Sequence, residues 1–372
     1  MARKLRRTFF LNRSRTISTN LSDYDYNLPP RRVAFYPSQK RDESRLMTLD
    51  RATGKTEHRS FRDLPLYMRP GDALVINDTK VLPARLLGIT DTGGGIEVVV
   101  TSPLSDSGET SALIKGLRKL SPGRIIDFGN SLTARFIRRN GDSGIVRFSL
   151  QGGELRDWME RYGRVPLPPY IKREDEPLDR ERYQTVFARR EGSCAAPTAG
   201  LHFTRGLLDK IEAKGVKIFK ITLHVGPGTF RPLTEENVTR HKLEAERTDV
   251  SPELFTELTD IKSRGGRVIA VGSTATRALE TAAIRGGGFS GETSLMITPG
   301  FAFKMVDALV TNFHLPRTSL LLLVSAFAGR ENLLSAYEEA IKDEYRFYSY
   351  GDAMFIYQQL KHSCQSRAVR SE

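Results

Sequence analysis

Between Leu74 and Leu150 the chain carries seven short β-rich runs: ALVIN, ARLLGI, GIEVVVTS, SALIKGL, RIIDF, LTARFIRR and GIVRFSL. Turn residues separate them, among them Gly93-Gly94-Gly95, Ser121-Pro122-Gly123 and Asn140-Gly141-Asp142. Short strands at such close spacing read as a compact all-β unit, a small barrel. A helical pattern follows in GGELRDWMERYG, then the stiff VPLPPY segment, which marks the crossing into a larger domain. Beyond it strand and helix signals alternate. GVKIFKITLHV and GRVIAVGS read as buried strands, TRALETAAIR and ENLLSAYEEAIKDEY as helices, and DALVTNFHL precedes the apolar SLLLLVSAF. Alternation of this kind predicts a layered α/β main domain carrying the barrel as an insertion.

The expected organisation is therefore a basic, disordered extension over 1–20, a discontinuous α/β domain over 21–65 and 160–360, an inserted barrel over 66–159, and a polar tail over 361–372. LSDYDYNLPP, where the ordered part begins, reads as an extended lead-in because of its prolines. With 372 residues, 39% of them hydrophobic and 27% charged, the chain falls in the ordinary globular range. Its longest apolar run, Leu320 to Ala328, is far short of the roughly 20 residues that cross a bilayer, so it reads as core.

Cys194 and Cys364 form neither a CxxC pair nor a cluster that holds zinc or an iron–sulfur centre, so no metal or prosthetic group is expected, and a reducing cytoplasm fits. The net charge of +13 points to a polyanionic partner, but Arg3, Lys4, Arg6, Arg7, Arg13 and Arg15 carry six of those charges, leaving a moderately basic body. That arginine-rich, acid-free stretch reads three ways: a transit peptide, a basic arm near RNA, or residues upstream of the functional start. No coiled coil or association helix is evident, so a monomer is expected.

Five segments place glycines beside reactive side chains, the composition of loops that close on a ligand: NDTKVLPARL, SCAAPTAGLHF, LHVGPGTFRP, VGSTATRALE and TPGFAFKMVDALVTNFHLP. Each has a plain alternative. Gly226-Pro227-Gly228 also suits a strand-ending turn, His224 a satisfied core position, Arg277 a pair with Glu280, and Asp307 a structural carboxylate. Standard nucleotide loops are absent: VGSTATR lacks GxGxxG, and no GxxxxGK[ST] occurs. Cys194 and His202 are not read as a nucleophile pair from their spacing. These residues reach as far as an α/β enzyme with an inserted β domain.

The same segments, with LSDYDYNLP, RDESRLMTLDR, YQTVFA, LVSAFAG and YRFYSYGDAMFI, resemble the S-adenosylmethionine:tRNA ribosyltransferase-isomerase family in order, from Leu21 to about Tyr357. Two positions depart: Phe35 replaces a glutamine in LP-x-x-x-I-A-Q-x-P, and Glu244 replaces the second histidine of His-x-Met-His-x-Glu over His241–Glu246. The resemblance implies an α/β domain with an inserted barrel. It implies, as substrates, S-adenosylmethionine as ribosyl donor and a tRNA with 7-aminomethyl-7-deazaguanine at the wobble position. Epoxyqueuosine in tRNA, adenine and methionine are the implied products.

On that basis His202 and His314 are candidates for proton transfer, because neutral imidazole titrates near working pH, and Asp307 for an orienting or sulfonium-facing carboxylate. Thr198, Gly200, His224, Gly226, Gly228, Thr229, Arg231, Ser273, Thr274, Arg277, Lys304 and Asn312 are candidates for the donor pocket. Lys80, Arg85, Lys115, Arg118 and Lys119 are candidates for tRNA phosphates. Two other readings stand beside this one: an RNA-binding protein without catalysis, and a divergent enzyme with another acceptor.

Overall fold

The computed structural model describes residues 18–359 except 102–108, 142, 227, 229–232, 234–235 and 239–240. Most of the basic extension, the polar tail, Thr229 and Arg231 therefore lie outside the described residues, as does the side chain of Lys119.

Nine strands form the main sheet. In chain order they are β1 (Arg45–Asp50), β2 (Thr56–Ser60), β3 (Ala73–Asn77), β12 (Lys217–Leu223), β13 (Glu246–Val250), β14 (Val268–Val271), β15 (Phe289–Thr293), β16 (Ala308–Asn312) and β17 (Ala353–Tyr357). Their spatial order is β15-β13-β12-β3-β14-β16-β17-β1-β2. The central strands β12, β3, β14 and β16 run parallel, and every residue of β3, β14 and β16 is buried. Continuous apolar runs are what a parallel sheet covered on both faces requires. The helices α3 (Arg205–Ala213), α4 (Pro252–Ser263), α5 (Gly272–Arg285), α6 (Ser319–Ala328) and α7 (Arg330–Lys342) supply much of that cover, with two hydrophobic clusters packed on the sheet. The apolar run Leu320–Ala328 is α6, mostly buried and started by Thr318, whose hydroxyl accepts from Leu321 N at 3.3 Å. Among the described residues no helix is long and apolar enough to cross a membrane.

The second layer is a closed, antiparallel six-stranded barrel: β5 (Arg85–Thr90), β6 (Gly95–Val100), β7 (Glu109–Lys115), β8 (Ile125–Asp127), β9 (Thr133–Asn140) and β10 (Ser143–Phe148). Alternate residues such as Ile96, Val98 and Val100 turn inward. Leu155, Trp158 and Met159 of α1 (Gly152–Tyr162) complete this separate core.

Two expectations need correction. ALVIN, grouped above with the barrel strands, is β3 at the centre of the large sheet, so a barrel boundary at residue 66 falls too early. Its continuous burial suits a parallel strand covered on both faces, not the alternation of a barrel wall. Residues 79–81 and 190–193 instead form the two-stranded parallel pair of β4 (Thr79–Val81) and β11 (Arg190–Ser193), which holds the two ends of the excursion together. The lead-in also begins with a 3-10 turn over Leu21–Tyr24, with Leu21 and Tyr24 buried, before the chain extends.

Because β12, β3, β14 and β16 are parallel, their carboxyl ends share one edge of the sheet. β17 runs antiparallel to β16 and parallel to β1, so the amino ends of β17 and β1 meet the same edge. In open α/β sheets that edge is where ligands bind.

Candidate active site

Four of the five loops deliver side chains to this edge: Thr79 after β3, His224 after β12, Ser273 and Thr274 after β14, and Asn312 and His314 at the end of β16. The fifth, between β11 and α3, folds as a 3-10 turn over Thr198–His202 and lays Thr198, Gly200 and His202 across it. Gly200 is needed for packing: a Cβ there would come within 2.8 Å of Phe187 Cζ and 2.9 Å of Thr185 Cγ2.

His202 is 4% exposed and lies against the Phe61 ring at 5.0 Å. Its Nε2 is 3.1 Å from Asn312 Nδ2, and its Nδ1 is 2.7 Å from Ser44 Oγ. Asn312 Nδ2 also donates to the Tyr348 carbonyl at 3.2 Å, which fixes the amide's orientation. An amide nitrogen only donates, so Nε2 must accept, and the neutral ring carries its proton on Nδ1 toward Ser44. Burial, helped by Arg346, Arg41 and Arg182, pushes the His202 pKa down to about 3. Both nitrogens are thus occupied, and proton exchange at this ring, as expected above, would first have to break one of these bonds.

His314 is 8% exposed, and burial brings its pKa to about 3 as well. Its Nε2 shares a 2.7 Å hydrogen bond with Thr311 Oγ1, while Tyr337 accepts from its backbone N–H at 3.0 Å and Tyr26 donates to its carbonyl. Thr198, Asn312 and His314 line one cavity with Tyr170, Tyr348 and Ser349. At about 20 Å³ it has room for roughly one water molecule, so a larger ligand must part its walls. Tyr348 has φ +74°, a costly conformation for a side chain of this kind, and its ring stacks on Tyr170 at 4.4 Å.

His224 Nδ1 meets Thr79 Oγ1 at 2.8 Å, and its pKa is lowered by burial and then by Arg247. Gly192, with φ +138°, lets the β11 backbone pass the His224 ring, where a Cβ would fall 3.0 Å from it. The buried Arg277 pairs with Glu246, and Glu246 accepts from Gly226 N at 2.7 Å. Arg277 therefore anchors the glycine loop, pairing with Glu246 and not with Glu280, whose carboxylate accepts from the backbone of Lys304, Met305 and Val306. Gly228 lies beside Glu244, the departing position: a Cβ on it would be 3.2 Å from that carboxyl carbon. The Cys194 thiol, raised to about 12 by burial, is no nucleophile.

Two expected residues belong elsewhere. Asp307 precedes β16, at the opposite end from His314; its carboxylate takes Lys262 Nζ at 2.6 Å and the N–H of Val268 at 2.9 Å. Four strand residues, Ala308 to Thr311, at about 3.3 Å each lie between it and Asn312 of the cavity wall, so it aligns β14 with β16 and faces no ligand there. Lys304 is exposed at that same far end. Of the basic residues, Lys80 pairs with Glu191 at 3.1 Å, and Arg85 with Glu97 and Glu174, each at 3.0 Å. Lys115 and Arg118 are exposed on the barrel. Ser44, Thr79, Glu246, Tyr170 and Tyr348 belong to the site without having been singled out; each sits inside or beside a motif quoted above. Among the described residues, the single group able to grip a metal ion, His58, Glu339 and Asp343, lies on the β2–α7 surface away from the site.

A mixed α/β sheet with polar loops gathered at its carboxyl edge and a barrel inserted beside them defines an enzyme of the layered α/β class. The chain matches the family described as queuosine biosynthesis protein over residues 21–356, and it belongs to that family. The S-adenosylmethionine:tRNA ribosyltransferase-isomerase of Symbiobacterium thermophilum is 50% identical over 343 residues, covering 90% of this chain and 99% of the relative. The enzyme of the same name from Pelobacter propionicus is 48% identical over 341 residues, with the same coverage. The crystal structure of S-adenosylmethionine tRNA ribosyltransferase from Thermotoga maritima is similar at 36% identity and a TM-score of 0.52, covering 90% of this chain and 99% of that one.

Proposed function

We propose that this chain transfers and isomerises the ribosyl moiety of S-adenosylmethionine onto 7-aminomethyl-7-deazaguanine at the tRNA wobble position, giving epoxyqueuosine-tRNA and releasing adenine and methionine. The observation that carries the reading is one cavity at the carboxyl edge lined by Asn312 and His314, with His202 hydrogen-bonded to Asn312 behind it. Family membership supplies the reaction type.

The sulfonium acidifies the neighbouring ribose C5 hydrogen, so a neutral imidazole suffices as base if it is well placed. His314 lines the cavity and stays neutral at working pH. Its low pKa makes it a weak base, but once protonated it is a strong acid toward the departing adenine nitrogen. One group then serves both proton transfers. The amino end of α5 has no side-chain cap, and Thr274 Oγ1 there is buried without a partner among the described residues, which suits the methionine carboxylate. We take the enzyme to be a cytoplasmic monomer that works without bound metal or prosthetic group.

The test is to incubate the purified protein with S-adenosylmethionine and tRNA bearing the aminomethyl base, then digest the RNA and weigh its nucleosides. Epoxyqueuosine together with free adenine is expected; tRNA that binds tightly and stays unmodified would favour binding without catalysis or another acceptor. His314→Ala should lower turnover on the order of 10²–10⁴-fold with an unchanged circular dichroism spectrum. Wild-type turnover in that variant would remove His314 from the mechanism.

A further inference from the structure

The amide of Asn312 is held from one side only. Both of its N–H bonds are used, one on His202 Nε2 at 3.1 Å and one on the Tyr348 carbonyl at 3.2 Å. Its Oδ1 is buried and has no hydrogen-bond partner among the described residues, although Asn312 is only 2% exposed. An orphaned buried acceptor is costly, and here the surroundings enforce it. Rotating the amide by 180° would set Oδ1 against the Tyr348 carbonyl and against His202 Nε2, both of which are acceptors. Nε2 is an acceptor because Nδ1 is turned to Ser44 Oγ at 2.7 Å, and the Ser44 hydroxyl in turn reaches the Arg41 carbonyl at 3.3 Å. A chain of fixed polarity, Arg41 O to Ser44 to His202 to Asn312, therefore determines which amide atom is left for the cavity.

We infer that His202 is a positioning residue that turns Asn312 Oδ1 toward the substrate, and that Oδ1 accepts from the exocyclic amino group of a planar heteroaromatic ring. The other walls suit a ring: Tyr348 and Tyr170, stacked at 4.4 Å and inclined by 22°, and the imidazole of His314 line the same cavity. Under the reading proposed above, on which this inference rests, two substrates carry such a group, the adenine of the donor and the deazaguanine of the acceptor. The small, largely buried walls of this cavity favour the small, freely diffusing donor over a base attached to a tRNA backbone. Asn312 thus selects 6-aminopurine over 6-oxopurine, since an oxo group would face Oδ1 with a second acceptor.

The experiment is calorimetric titration of the full chain with S-adenosylmethionine and with its 6-oxo counterpart, S-inosylmethionine. Wild type should prefer the adenosyl compound on the order of 100-fold. Asn312→Ala should bring the two affinities close to parity. His202→Leu, which removes the acceptor and frees the amide to turn, should do the same, whereas His202→Gln, which can still accept through Oε1, should keep the preference. A role of His202 in proton transfer alone, or in folding alone, would not move this ratio. Equal binding of both compounds by wild type, or a preference that survives in Asn312→Ala, overturns the inference while leaving the proposed donor in place. Failure of wild type to bind either compound overturns both.

Discussion

Two histidines with opposite surroundings in the folded and unfolded chain give the molecule a pH signature. His202 and His314 have folded pKa values of about 3 because burial opposes their charge, against about 6.5 in an unfolded chain. The unfolded state therefore binds more protons between those values, and stability falls as pH drops below about 6.5. Each histidine contributes roughly 1.4 kcal/mol per pH unit in that window, or about 2 kcal/mol between pH 6.5 and 5. Denaturant midpoints of His314→Gln against wild type across this range should show a shallower loss in the variant by nearly one proton; parallel curves would mean that His314 is charged in the fold. At this scale the sequence was partly legible. His202, His314 and Asn312 stand in segments whose glycines and prolines mark them, and Asn312 joins the other two, by a hydrogen bond to His202 and through a cavity shared with His314. Asp307 stands in the same linear segment as His314 but meets Lys262 instead, because a strand lies between them and carries its two ends to opposite edges of the sheet. Ser44 and Tyr348 lie inside quoted strings, but nothing local singles them out, since their part in the site comes from hydrogen bonds to residues distant in sequence.

Elements follow their hydrophobic patterns closely where the pattern is long. The continuous apolar run of β14 can be read directly from the residues, whereas the alternating burial of β7 is hidden in a sequence with consecutive Ala112, Leu113 and Ile114. β3 differs from its expected place in the barrel because four apolar residues state that a strand exists but not which sheet receives it, and its neighbours in sequence are barrel strands. The buried pair Arg277–Glu246 joins α5 to the amino end of β13 and, through Gly226, to the loop after β12. No local pattern announces it, because its members lie 31 residues apart. Removing one member leaves the other charged and buried, which typically costs about 3–5 kcal/mol. Glu246→Ala should lower the chemical denaturation midpoint by a corresponding amount and weaken donor binding as Gly226 loses its tether. A variant with wild-type stability would show that the pair is solvated.

Across the whole molecule, charge is divided between groups that hold the barrel in place and groups that face outward. Arg85, 17% exposed, faces Glu97 from β6 together with Glu174 and Asp175 from the returning segment, and Lys80 faces Glu191 and Glu160. Sequence alone counts all of these as positive charges available to RNA, since the acids that neutralise them lie between 12 and 111 residues away. Lys115 and Arg118 have no ion-pair partner among the described residues, and both project from the barrel surface. Phosphate contacts reveal themselves through the counterions they displace, so the logarithm of tRNA affinity falls with the logarithm of salt concentration in proportion to their number. Replacing Lys115 or Arg118 by glutamine should reduce the steepness of that dependence by about one each, with thermal stability unchanged. Arg85→Gln should behave in the opposite way, leaving the salt dependence intact while lowering stability, because three carboxylates lose their common partner. If Arg85→Gln flattens the salt dependence and Lys115→Gln does not, tRNA approaches by the seam between barrel and sheet, and the outward face of the barrel is only a solvated surface.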